Sequence, residues 1–287
     1  MDHENPLVSI LIPTFNGRRH LSDAIQSALS QTYPRFEIIV CDDGSADRSV
    51  ELAEELLSSS GRPHQVKSFE HAGMIQNWNR CLELSAGIFL KFLFQDDRLA
   101  PDCIDFLVQV ARESDRIAFV FCPRTPFLDV GSADDPICQK LLSSIATRPV
   151  DWNAIPGIVN GEFYLRHPAL LSHPLNKFGE PTALLIRKSV LVDRGGFDLT
   201  MGQVADLEAW LRLLPESRIG YVDKSLVSIR IHSGQETVRQ LRTGDHAAAV
   251  ARLDDRVGRP EFWSQLHAWA KVRVRMRQVR RMLTFSS

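Results

Sequence analysis

Apolar residues in the first hundred positions fall alternately into short unbroken runs and into repeats of helical spacing. Leu7 to Ile12 (LVSILI) reads as a buried strand, ended by the turn residues Pro13 to Gly17. Leu21, Ala24, Ile25, Ala28 and Leu29 then recur every three to four positions, as on one face of a helix, until Tyr33 and Pro34 break the pattern. Phe36 to Cys41 resumes a strand, Asp42 to Ser45 forms a loop, and Val50, Leu52, Ala53, Leu56 and Leu57 mark a second helix after Asp47. A third strand around Gln65 to Glu70 leads through the His71-Ala72-Gly73 turn to a helix carrying Trp78, Cys81, Leu82 and Leu84. Strands alternating with helices predict a predominantly parallel α/β sheet, whose ligands bind in a crevice at the carboxyl ends of the strands.

The fourth apolar run, IFLKFLFQDD, stops at two adjacent carboxylates, Asp96 and Asp97. An unpartnered carboxylate is expensive to bury, so a strand ending this way delivers both acids to a rim. Consecutive side chains of an extended chain face opposite ways, which gives the two acids different roles at one site. The same edge collects Thr14 and Asn16, Asp42 and Asp43, and His71. Four acids with few bases call for a cation, and Mn²⁺ or Mg²⁺ bridging carboxylates to a diphosphate suits hard oxygen ligands. Neither G-x-x-x-x-G-K-[ST] nor G-x-G-x-x-G occurs, which argues against P-loop NTPases and classical dinucleotide dehydrogenases.

Composition narrows the remainder. The 287 residues carry a formal net charge of −1, giving no overall attraction to nucleic acid. Five cysteines, odd in number and without a C-x-x-C pair, read as reduced buried thiols of a cytoplasmic protein. The N-terminus lacks the basic stretch of a signal peptide, and no apolar window is long enough to span a bilayer. From Phe262 onward, Phe262, Leu266, Trp269, Val272, Met276, Val279 and Leu283 recur at helical spacing among Lys271, Arg273, Arg275, Arg277, Arg280 and Arg281. The reading is a basic amphipathic helix that lies on an anionic membrane surface or packs on the catalytic domain or a second subunit.

VSILIPTFNG, QTYPRFEIIVCDDGSADRS, HAGMIQNWNRCLELSAG and FLFQDD, in that order, resemble the nucleotide-binding half of family 2 glycosyltransferases. The resemblance continues through NKFGEPTALLIRKSVLVDRGGFD, VADLEAWLRL and LVSIRIHSGQET, covering about Val8 to Thr237. It implies a GT-A fold: one Rossmann-like, mostly parallel mixed sheet flanked by helices. Residues 1–240 would form the catalytic domain, with a nucleotide-binding half (1–100) and an acceptor-binding half (101–240), followed by a helical extension (241–287). The implied activity is metal-dependent, inverting transfer from a nucleotide-sugar, a UDP-sugar, to a glycan or lipid-linked acceptor in surface polysaccharide synthesis. A weakened nucleotide- or glycan-binding protein and a sugar nucleotidyltransferase are the alternatives.

Carried over by position, the resemblance assigns Pro13, Thr14 and Phe15 to packing on the base and Asp43 to the uracil N–H, since a carboxylate only accepts. His71 and Gly73 fall beside base or ribose, Asp96 at the ribose, and Asp97 on the metal, with His232 reaching back to metal or diphosphate. Asp206 is the general base and Glu208 its reserve, and Glu180 lines the donor sugar; Trp152, Tyr164 and Trp210, read from residue type alone, either stack on a sugar ring or pack in the core. Arg230 either neutralises phosphate or pairs with an acid. Two positions depart from the family pattern: Gln95 replaces the first acid of D-x-D, and Ala205 replaces one acid of the pair before the D-x-E-x-W helix.

Overall fold

A computed structural model describes residues 5–146 and 157–284, so Trp152 lies outside the described residues. The chain runs β1 (Val8–Thr14), α1 (Arg18–Leu29), β2 (Phe36–Asp42), α2 (Ser49–Ser58), β3 (His64–Ser68), α3 (Met74–Leu84) and β4 (Phe89–Phe92). It continues through β5 (Arg98–Leu99), α4 (Cys103–Ala111), β6 (Ile117–Phe121), β7 (Arg124–Leu128), α5 (Pro136–Ala146), β8 (Gly157–Asn160) and α6 (Gly161–Leu165). The last part is β9 (Leu184–Arg187), α7 (Lys188–Asp193), a 3₁₀ turn (Leu199–Val204), α8 (Ala205–Leu213), β10 (Arg218–Tyr221), β11 (Val227–Ile231), α9 (Glu236–Thr243), α10 (Asp245–Val257), α11 (Pro260–Trp263) and α12 (Ala268–Thr284).

The main sheet has strand order β3-β2-β1-β4-β9-β6-β10-β8, and β5, β11 and β7 form a second, three-stranded sheet. The four N-terminal strands are mutually parallel, whereas β9 runs antiparallel between β4 and β6, so the sheet is mixed. Register pairs Thr14 with Asp42 and Leu11 with Phe92, which brings the carboxyl ends of β1, β2 and β4 to one edge. Every residue of β1, β2, β4 and β6 is buried, as expected of strands covered on both faces. Ile10, Ile12, Ile38 and Val40 face α1, α2 and α4, while Leu11, Ile39 and Cys41 face α3, in a core that extends to the C-terminal helices.

Among the described residues all five cysteines are free and buried. The C-terminal helices belong to the same core, through Ala249, Leu253, Val257, Leu266, Ala270 and Val274. The apolar stripe read from the sequence is largely not the packing face of α12. Of its members only Leu266 is buried, whereas Trp269, Val272, Met276, Val279 and Leu283 are exposed.

Candidate active site

The loop after β1 is fixed by long-range contacts. Phe15 N–H donates to Gln95 Oε1 at 2.9 Å, and Gln95 Nε2 donates to the Phe15 carbonyl at 3.1 Å. This two-point clamp explains the first departure from the family pattern, because an aspartate is shorter and has no donor for the carbonyl. It also explains Gly17, where a Cβ would lie 2.1 Å from Gln95 Oε1. Phe15 is 43% exposed, and its ring stacks on His71 with centroids 4.5 Å apart. Pro13 and Thr14 are buried at the end of β1.

The two acids after β2 have separate tasks. Asp42 Oδ2 accepts from Gly44 N–H (3.1 Å), Ser45 N–H (2.9 Å) and Ser68 Oγ (3.0 Å), so this side chain shapes the loop. Asp43 accepts from Ala72 N–H and Gly73 N–H, both at 2.9 Å, and from Arg80 Nη1 at 2.8 Å, with His71 Nδ1 at 2.8 Å from its second oxygen. Those four partners fill the carboxylate of a buried residue, and the His71 side chain, 58% exposed, is the one partner open to exchange with a ligand donor. Gly73 holds φ +94°, a conformation that a side chain would strain. Arg80 also donates to the Glu70 carbonyl and lies over the Phe69 ring; nothing in the helical pattern around NWNRC singles it out.

Asp97 is 2% exposed and accepts from Thr182 Oγ1 and Arg230 N–H, each at 3.1 Å. Burial pushes its carboxyl well above the usual range, and the negative charges of Asp96 and Glu180 push it further. Asp96 lies 3.1 Å from His232 Nε2. Arg230 is not free for phosphate: it pairs with Asp23 at 2.6 Å and Asp129 at 3.0 Å, and its Nε donates to the Asp96 carbonyl at 3.1 Å. Beneath this cluster the fully buried Lys91 donates to the Thr182 carbonyl at 2.5 Å, and through Thr182 it supports Asp97. A lone lysine inside the apolar run IFLKFLF was its visible trace in the sequence.

Asp206, at the first turn of α8, accepts from Asn176 Nδ2 at 2.8 Å and from Leu207 N–H at 2.6 Å. Burial raises its carboxyl to about 7, against those two hydrogen bonds and the Arg124 charge, while the neighbouring Glu180 charge adds to the rise. Glu180 lies 2.8 Å from Arg124 Nε, an ion pair off the line of a hydrogen bond. The Glu180 charge thus acts on both Asp97 and Asp206, linking the two ends of the site.

Three sequence expectations are corrected. Trp210 is fully buried against Phe119 and Phe197, and its indole N–H donates to the Gly179 carbonyl at 3.0 Å, so it supports the 176–180 turn and offers no face to a sugar. Tyr164 is likewise fully buried. Glu208 is 1% exposed and pairs with Arg212 at 3.0 Å and Arg256 at 3.2 Å, which removes it as a reserve base. Ala205, the second departure from the pattern, is fully buried, where an added carboxylate would meet an apolar core.

Among the described residues no three His, Cys, Asp or Glu side chains already converge tightly enough to hold an ion. The chemistry still suits a hard divalent cation. Asp97, Asp96 and Glu180 are like charges whose mutual repulsion an ion would relieve, and such an ion ordinarily takes only one or two carboxylates, completing its shell with phosphate oxygens. A cleft of about 500 Å³ opens beside this edge, lined by Gly73, Met74 and Arg80, by Leu199 and Gly202 of the 3₁₀ turn, and by Glu236.

A family model described as glycosyl transferase family 2 matches residues 9–170. An uncharacterized protein of Mycobacterium tuberculosis is 30% identical over 239 residues, covering 83% of this chain and 71% of that protein. An uncharacterized glycosyltransferase of Rickettsia typhi is 27% identical over 81% of this chain and 66% of its own length, so the chain spans about two thirds of these relatives. A putative teichuronic acid biosynthesis glycosyltransferase of Bacillus subtilis is 31% identical over 37% of this chain and 42% of its own. Among solved structures, residues 1–349 of S. aureus TarS in complex with UDP-GlcNAc align with TM-score 0.66 at 16% identity over 90% of this chain and 69% of that one. A Pyrobaculum calidifontis mannosyltransferase in complex with GDP-Man and Mn²⁺ aligns with TM-score 0.64 at 14% identity, over 93% and 70%. The fold is therefore the mixed α/β GT-A arrangement.

Proposed function

Because the chain belongs to glycosyl transferase family 2 and is a glycosyltransferase, we propose that it transfers a sugar from a UDP-sugar, with inversion, to a hydroxyl of a glycan or lipid-linked acceptor in surface polysaccharide synthesis. The observation that carries the mechanism is Asp206: a carboxyl raised to about 7, oriented by Asn176 and linked electrostatically to the Asp97 cluster through Glu180. In its ionised form Asp206 takes the proton of the acceptor hydroxyl. That oxygen bonds to the anomeric carbon from one side, as the bond to the nucleoside diphosphate breaks on the other and its electron pair leaves with the diphosphate. A base with a pKa near the working pH is half ionised there and still strong enough to accept.

The uracil ring lies on the exposed Phe15 ring, and its imide N–H takes the place of His71 on Asp43, with His71 turned aside beside the base. Asp96 holds the ribose. Asp97, with Asp96 and His232 beside it, would hold Mn²⁺ or Mg²⁺, an ion that neutralises diphosphate charge when bound. Glu180, whose charge acts on both Asp97 and Asp206, faces the donor sugar. Support for an intact site comes from Gln95, whose clamp on Phe15 gives the missing acid a structural reason. A lipid-linked acceptor would place the protein at the cytoplasmic face of a membrane. The test is a donor screen with and without Mn²⁺, reading nucleoside diphosphate release. Release from one UDP-sugar that requires Mn²⁺ and is lost in Asp206→Asn is expected; no release from any nucleotide-sugar, or an Asp206→Asn variant as active as the parent, would overturn the assignment.

A further inference from the structure

α12 has two apolar faces, and packing uses only one. Its inner face, Ala270 and Val274 with Leu266 just before the helix, is buried in the core that contains Ala249, Leu253 and Val257 of α10. The basic residues bordering that face are engaged with the body: Arg277 forms a fork on Asp254, with contacts of 2.9 and 2.6 Å, Arg281 pairs with Asp255 at 2.7 Å, and Arg273 donates to the Leu170 carbonyl at 3.3 Å. The opposite face is a second stripe, Trp269, Val272, Met276, Val279 and Leu283, exposed by 43 to 67%.

The rim of this outer stripe is cationic. Lys271, Arg275 and Arg280 line a shallow apolar groove with Val272, Met276 and Val279. Among the described residues Lys271 and Arg275 pair with no carboxylate; both instead lie over the Trp263 ring, at 5.9 and 4.8 Å from its centroid. The helix sequence, AWAKVRVRMRQVRRMLT, contains six basic residues and no acid. No described helix is long and apolar enough to cross a membrane.

From this second face we infer that α12 docks on an anionic lipid bilayer, lying in the plane of the interface with Trp269, Val272, Met276 and Val279 turned into the acyl boundary and Lys271, Arg275 and Arg280 on the headgroups. Charge selects this occupant. Two copies pairing through the stripe would bring two cationic rims together, whereas an anionic headgroup layer complements both parts of the surface. α10 packs on α12 and on the 3₁₀ turn that leads into Asp206, so the bilayer contact is separated from the base by one helical layer. The inference names the surface through which the membrane location proposed above is reached and rests on that location. Vesicle binding and sugar transfer are separate readouts, so the two ideas fail separately.

The test is co-sedimentation of the full chain with phosphatidylcholine vesicles, with and without phosphatidylglycerol. Binding to the anionic vesicles is expected to be roughly tenfold tighter than to the neutral ones. The double substitution Met276→Glu with Val279→Glu, and separately Lys271→Glu with Arg275→Glu, should each weaken it by roughly tenfold or more, and the first should leave the thermal melt unchanged, because Met276 and Val279 are exposed. Should the glutamates lower the melting point, Lys271→Gln with Arg275→Gln carries the same comparison. Equal binding to both vesicles, no binding, or binding that survives these substitutions would overturn the inference. So would a dimer in solution that Met276→Glu with Val279→Glu dissociates, since the stripe would then be a contact between copies.

Discussion

At the scale of single residues, function turns on side chains whose partners come from far along the chain. Asp206 was legible as a candidate from its place before a tryptophan-bearing helix, but its raised carboxyl required burial, Glu180 and Asn176 to be known together. Its chemistry predicts a pH profile. Only the ionised carboxyl accepts a proton, so kcat/KM should rise with pH, reach half its limit near pH 7 and level off above, and initial rates across pH 5.5 to 9 check this. Asp206→Asn should remove that limb and reduce transfer by roughly 10² to 10⁴-fold. The same shift has the opposite sign for stability. Between its ordinary value of 3.8 and about 7 the folded chain keeps a proton that the unfolded chain releases, so Asp206 lowers stability as pH rises through that window. Gln95 was legible only as an anomaly, because its partner, Phe15, is 80 positions away. Gln95→Asp restores the family acid and breaks the clamp; about 1 kcal/mol of lost positioning should weaken UDP binding roughly fivefold by calorimetry. An unchanged affinity would mean that Phe15 does not need the clamp.

Elements were readable where burial is two-sided and the ends are punctuated. Three strands of the sheet, β1, β2 and β4, show as apolar runs stopped by Pro-Thr-Phe-Asn-Gly, Asp-Asp-Gly-Ser and Gln-Asp-Asp, because a strand covered on both faces cannot alternate. The sequence of residues 122–178 has no clean apolar period, and the structure gives part of the reason. β7 is partly exposed, and β8 is a four-residue edge strand, each too short or too open to leave a pattern. β4 and β9 are joined by more than backbone pairing, because Lys91 reaches from one strand to the Thr182 and Leu184 carbonyls at the start of the other. Lys91→Met keeps the stem and leaves the Thr182 carbonyl without its donor. The expected loss is about 1 to 3 kcal/mol in urea unfolding. A variant as stable as the parent would show that this carbonyl finds another donor.

At the scale of the whole molecule, the C-terminal helices are an extension in sequence and a wall in structure. A basic helix with one apolar stripe reads as lying on a membrane or packing on the domain, but not both; α12 also carries Ala270 and Val274, which add little to a hydrophobic pattern and allow close approach to the core. That inward face was illegible because the bulkier outward stripe dominated the period. The attachment is electrostatic as well as apolar: Asp254 is 2% exposed on α10, and the Arg277 fork is its charged partner, with Arg277 also donating to the Leu171 carbonyl at 3.1 Å. Arg277→Met preserves the stem but leaves the Asp254 carboxylate without its charged partner, and hydrogen bonds to a charged group are worth about 1.5 to 3 kcal/mol. Unfolding should accordingly shift by about that amount. Because α10 packs on the turn before Asp206, the shift should appear in a single cooperative transition. Separate melting of α12, seen as a low-temperature loss of helical signal while the rest remains folded, would instead mark the extension as an independent unit. Asp254→Asn in the Arg277→Met background should recover part of the lost stability, since the uncompensated charge, rather than the missing packing, carries the penalty.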